Sequence, residues 1–170
     1  MAKDDEQVLR LGKLMLNLLG LEFLIRSYLR LLPGAKPIDS PLFADVYSCP
    51  VGTELNENEL TDYLSLSQLI KKFNSLAESR NFEPIGTAIV DLRDALAHGR
   101  VSRLTQDGPM HIIKFTKPNK EKKVRVVLNE IMDDAWLQTQ ITTVKHAMVH
   151  VATQCNVLVP NNAQFLKVKG

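Results

Sequence analysis

The chain holds only two cysteines in 170 residues, Cys49 in a loop-like stretch and Cys155 within an apolar helical stripe. That excludes a disulfide framework and a paired-cysteine zinc site, and a reducing compartment, the cytoplasm, is expected. Aromatic residues make up 6% of the chain and no strand collects them, so no base-stacking platform is expected. A net charge of +2 is too small to say anything about partners, which leaves local clusters of charge to do so. Long apolar runs are also missing. The segment "LMLNLLGLEFLIRSYLRLL" follows Lys13 and is broken by Glu22, Arg26 and Arg30. Its charge-free parts fall short of the roughly 18 residues a spanning helix needs, so no membrane partner is expected. The opening "MAKDDEQVLRLGK" has acids and mixed charges where a signal peptide has a basic start and a short apolar run. No glycine-rich phosphate loop, nucleophile elbow or dinucleotide fingerprint occurs.

What is present suits an ordinary globular protein: 45% of residues are hydrophobic and 24% charged, and the length fits one domain spanning 1–170. A first helix is expected from about Asp5 to Leu32, with Leu11, Met15, Leu18, Glu22, Ile25 and Leu29 on one stripe and Pro33-Gly34 ending it. Glu22 sits on that stripe, where a carboxylate needs a partner. Arg26, four residues on, supplies one, either as an intrahelical ion pair at the edge of the core or in support of a site.

From Pro33 to about Asn58 four prolines and two glycines predict a long irregular connection. The period of Leu66, Leu69, Ile70, Phe73 and Leu76 predicts a second helix over about 67–79. Pro84 is placed as the first residue of a third helix with Ile85, Ile89, Leu92 and Leu96 inward and Gly99 beyond its end. "RVSRL", "MHIIKF" and "KVRVVL" then read as strands of an antiparallel meander. A last helix is expected from Asp133 or Asp134 to about Val157, with a heptad-like seam of Leu137, Ile141, Val144, Met148, Val151 and Cys155. The fold class is therefore mainly α, a helical bundle with a β-hairpin or meander inserted before the last helix.

The stretch "VDLRDALAHGRV" gathers Arg93, Asp94, His98 and Arg100 at a helix end. Asp94 and His98 are four apart and share a face, where a carboxylate can fix the imidazole's tautomer. Arg93 and His98 are five apart, about 140 degrees around an ideal helix. One reading is a solvated face with His98 favoured by the helix C-terminus. The other is a phosphate site, in which a guanidinium grips phosphoryl oxygens while an imidazole moves protons.

The "RDALAH" of Arg93 to His98, on a late helix of a chain whose first helix contains "GLEFLIRSYL", resembles the R-x4-H signature of the HEPN superfamily. The resemblance implies a helical bundle that forms a homodimer with the motifs of both copies facing one cleft. It further implies a metal-independent endoribonuclease acting on RNA, without a cofactor, often as a toxin held by a cognate antitoxin protein or as a phage-defence effector. Arg93 and His98 match the catalytic pair, Asp94 matches the polar position after the arginine, and Glu22 stands where a supporting acid would be. A noncatalytic dimeric module binding a protein partner or a nucleotide is the alternative, since members of the superfamily have lost activity.

His146 and His150, four apart, have chelate spacing but no third ligand, and an exposed helical pair is the expected reading, so no metal is assigned. "KPNKEKKVR" is the most basic stretch. It reads as a solvated hairpin turn or, if RNA binds, as a phosphate contact in which Lys120, Lys122 and Lys123 join Arg100 and Arg103.

Overall fold

The structure is a computed structural model that describes residues 3–35, 48–105 and 108–158. It is mainly α, with a three-stranded antiparallel meander inserted before the last described helix. In chain order the described elements are α1 (Lys3–Arg30), α2 (Leu66–Asn74), α3 (Ala77–Arg80), α4 (Ala88–His98), β1 (Arg100–Arg103), β2 (Met110–Phe115), β3 (Val126–Met132) and α5 (Asp134–Leu158). Among the described residues no helix is long and apolar enough to cross a membrane. Two compact units are distinguished: Met1–Gly20 with Gly86–Ala147, and Leu21–Ile85 with Met148–Gly170.

In the first unit the sheet has the order β1-β2-β3. Arg100 pairs with Ile113 and Arg103 with Met110, and on the other side Met110 pairs with Met132 and Lys114 with Leu128. Side chains alternate across a strand, and Met110 and Ile112 are buried while the residues after them are only half-buried. Ile89, Leu92 and Ala95 of α4 supply further core, as do Leu137, Ile141 and Val144 of α5. Asp133 caps α5, its carboxylate accepting the Trp136 N–H at 2.8 Å. Gln7, buried on α1, donates its side-chain amide to the Met132 carbonyl at 3.0 Å and so ties the helix to the end of β3.

The second unit is built around aromatic rings. Tyr28 meets Phe73 edge-on with ring centroids 4.9 Å apart, and Phe73 lies 4.6 Å from Phe82. His150 joins them edge-on at 5.9 Å from Phe73, and its Nε2 lies 2.8 Å from the Glu83 carbonyl. The expected exposed pair is thus split: His146 is exposed, and His150 is half-buried among rings. Burial pushes the Cys155 thiol up to about 12, so it stays protonated.

Four features depart from the spacing-based expectation, one of them the third strand, expected in "KVRVVL" and observed instead over Val126–Met132. The expected helix over 67–79 is two helices: Ser65 and Gln68 form a capping box that starts α2, and a break at Ser75 and Leu76 precedes α3. The third helix starts at Ala88 rather than Pro84, because the Asn74 side chain clamps the Ile85 backbone. Its Nδ2 donates to the Ile85 carbonyl and its Oδ1 accepts the Ile85 N–H, both at 2.8 Å. Of the stripe expected on α1, Leu18, Ile25 and Leu29 are buried, but Met15 is exposed, and Leu14, Leu21 and Tyr28 take the inward places beside them. The irregular connection expected over 33–58 is described only at its ends, and 36–47 lie outside the described residues. At those ends Gly34 and Gly52 adopt φ of 85° and 94°, conformations that favour glycine.

Candidate functional site

Helix α4 buries Ile89, Leu92 and Ala95, and with 3.6 residues per turn that choice fixes what faces outward. Arg93 and His98 are exposed and Asp94 is half-buried. The helix ends at His98 and β1 begins at Arg100, so one residue, Gly99, makes the whole connection. Gly99 caps the helix by donating its N–H to the Ala95 carbonyl at 2.6 Å. Its φ of −71° is open to any residue. Glycine is needed for space instead: a Cβ there would stand 2.3 Å from the Ala95 carbonyl oxygen and 3.1 Å from Ile112 Cγ1.

Asp94 lies between two cations. One carboxylate oxygen accepts a hydrogen bond from the Lys114 ammonium, and the other lies 3.6 Å from His98 Nε2, wider than a hydrogen bond. The Lys114 hydrogen bond is the main reason Asp94 stays below the usual carboxylate range. Partial burial opposes it, and the Lys114, His98 and Arg93 charges add to it. The His98 side chain is 68% exposed and therefore open to a ligand. Arg93 makes no hydrogen bond or ion pair among the described residues, so its guanidinium keeps all its donors. No such contact joins Arg93 to His98 either.

Lys114 escaped the sequence reading, although a signal for it was present. In "MHIIKF" the alternation puts Lys114 on the same side as Met110 and Ile112, and a lysine at the end of a buried face needs a carboxylate. Its side chain is 20% exposed, against 43% for Asp94.

The other candidate cations have different settings. Arg100 places its guanidinium 5.3 Å from the centre of the Phe115 ring, a cation–π contact that leaves it exposed. Arg103 is half-buried and donates to the Gly108 carbonyl and to Gln7 Oε1, both at 3.3 Å, so it serves the hairpin as well. Lys120, Lys122 and Lys123 project from the β2–β3 loop. Asn119 shapes that loop, its Oδ1 accepting the N–H groups of Glu121 and Lys123. Lys123 is paired at 2.8 Å with Glu121.

Glu22 and Arg26 do form the expected intrahelical pair, at 3.2 Å, but Arg26 does much more. Nine per cent exposed, it also bonds Asp62, the Glu59 carbonyl at 3.2 Å and the Leu64 carbonyl at 2.7 Å. It fastens the 59–64 turn to α1, and that is its principal work. No family model, curated protein or solved structure matches the chain, so the functional reading rests on the residues themselves.

Proposed function

We propose that the chain is an endoribonuclease that cleaves RNA by internal attack of the 2′-hydroxyl, with Arg93 and His98 as its reacting groups. The observation that carries this reading is that an arginine with no partner among the described residues and a 68% exposed histidine stand on the last turns of one helix. The R-x4-H resemblance supports it. His98 accepts the 2′-hydroxyl proton, the 2′-oxygen attacks phosphorus, and the bond to the departing 5′-oxygen breaks as His98 hands the proton to it, leaving a 2′,3′-cyclic phosphate and a free 5′-hydroxyl. Arg93 neutralises the extra negative charge of the pentavalent transition state. The chemistry needs no metal because the nucleophile belongs to the substrate. Asp94 supplies a counter-charge beside His98, and Arg100 with the 120–123 lysines holds flanking phosphates. A toxin restrained by an antitoxin, or a phage-defence effector, is the biological setting this activity suits.

The test is cleavage of total cellular RNA by purified protein in chelator, comparing the wild type with Arg93→Ala and His98→Ala. Wild-type products ending in 2′,3′-cyclic phosphate, lost in both variants, are the expected result. Intact RNA throughout, or linear 3′-hydroxyl ends, would overturn the proposal. One feature favours a second reading, a noncatalytic binding module. Asp94 is held by Lys114 and stands 3.6 Å from His98, so the imidazole is not hydrogen-bonded into place. Such a module would hold a protein partner or a nucleotide and leave RNA uncut, and His98→Ala would slow no reaction.

A further inference from the structure

A cavity of about 500 Å³ opens within the second unit, between the end of α1, the short α3 and the last turns of α5. That volume lies in the range of small-molecule sites. Its lining is Tyr28, Ser79, Arg80, Gln154, Val157 and Leu158, four polar side chains beside two aliphatic ones.

The polar end is built on a fixed frame. Edge-on contacts with Phe73 and Phe82, at 4.9 and 6.0 Å, hold the Tyr28 ring. Asn81, at φ 54°, stops α3 directly after Arg80, and the Phe82 N–H closes on the Ala77 carbonyl at 3.0 Å, which fixes the backbone that carries the guanidinium. Burial raises the pKa of the Tyr28 phenol, and the charge and hydrogen bond of Arg80 oppose the rise. The phenol therefore stays protonated, accepts a guanidinium hydrogen on its oxygen and keeps its own O–H to donate. Arg80 is exposed and, unlike Arg26, has no carboxylate partner among the described residues. Ser79 already donates its hydrogen to the Leu76 carbonyl at 3.1 Å, so its oxygen is left as an acceptor. Gln154 makes no side-chain hydrogen bond among the described residues, and its amide offers both donor and acceptor.

We propose that this cavity binds a small monocarboxylate that carries an N–H or O–H group and an apolar arm. The carboxylate sits on the Arg80 guanidinium and the Tyr28 hydroxyl, whose donors match the lone pairs of its two oxygens. The ligand's own N–H or O–H is taken up by Ser79 and Gln154, and its apolar arm covers Leu158 and Val157, which is 74% exposed without it. Charge decides against a phosphate monoester. The lining holds one cation and no acid, so it neutralises a single negative charge and leaves a second one unmatched. The binding does not depend on any reaction at His98.

The test is titration of the full chain with N-acetyl-L-leucine and N-acetyl-L-phenylalanine, read by calorimetry and by the side-chain amide resonances of Gln154 in NMR spectra. A Kd on the order of 1 mM is expected for ligands of this size, with the Gln154 resonances shifted. Arg80→Gln should weaken binding by roughly tenfold or more. Its Tm should hardly move, since Arg80 is exposed. Tyr28→Phe keeps the ring contacts and should weaken binding by about threefold or more. The uncharged N-acetyl-L-leucinamide should not bind. Absence of saturable binding by either acid overturns the proposal. So does equal binding of the amide, or an affinity that Arg80→Gln leaves unmoved. Inorganic phosphate binding more tightly than both acids, and lost in Arg80→Gln, would overturn the carboxylate and assign the cavity to a phosphate.

Discussion

Arg26 and Arg93 each lie near a carboxylate in sequence, and the chain treats them in opposite ways. Arg26 is buried and donates four hydrogen bonds, to two carboxylates and two backbone carbonyls. Arg93 is exposed and donates none among the described residues. A guanidinium has five N–H donors, so the first is nearly saturated by its own fold and the second is free for a ligand. The difference is the number of acceptors the chain brings to each. A text pattern such as E-x3-R or R-D does not encode that number, because Asp62, Glu59 and Leu64 arrive from a distant turn.

The comparison is broken most directly by removing each guanidinium while keeping its stem. Arg26→Met should cost about 3 kcal/mol or more, since it strands Asp62, 15% exposed, without its cation. Arg93→Met should change stability by no more than about 0.5 kcal/mol. Urea unfolding of both variants checks this, and equal losses would dissolve the distinction. Gly99→Ala comes next. Its methyl must push aside the Ala95 carbonyl and Ile112, at a cost of about 1–3 kcal/mol, and should shift the amide resonances of Ala95 to Arg100 in NMR spectra.

The smallest effect is electrostatic. Asp94 has a lowered pKa in the folded chain, so its contribution is present above the unfolded carboxylate value near pH 4 and is lost as pH falls through the folded value. Because Asp94 is 43% exposed, screening limits the amplitude to below about 1 kcal/mol. Lys114→Met should flatten this part of the acid limb of a Tm-against-pH profile. An unchanged limb would show that Lys114 does not set the Asp94 charge.

Much of the fold was legible because local pattern and tertiary packing agree. The alternation in "MHIIKF" and the seam from Leu137 to Cys155 led to β2 and α5, and that seam is core: Leu137, Val144, Val151 and Cys155 have no exposed surface. The inward face of α1 was legible only in part, at Leu18, Ile25 and Leu29, because leucines at 9, 11, 14, 16, 18, 19 and 21 surround the helix and leave its rotational phase loosely determined. The start of α4 was hidden for another reason. Pro84 suits the first turn of a helix, but Asn74, eleven residues earlier by sequence from Ile85, holds the backbone there instead. At the candidate site the sequence marked Arg93, Asp94, His98 and Arg100 as neighbours, while Lys114 enters through strand pairing and α4 packing.

The single-residue join at Gly99 has a mechanical meaning. His98 ends a helix and Arg100 begins a hydrogen-bonded strand, with no slack between them. The imidazole is mounted on a bracket rather than on a tether. A ligand seated on His98 is held by a group that cannot move unless the Arg100–Ile113 rungs open, so tight binding disfavours that opening and should be felt as slower amide hydrogen exchange across β1 and β2, well away from the atoms it touches.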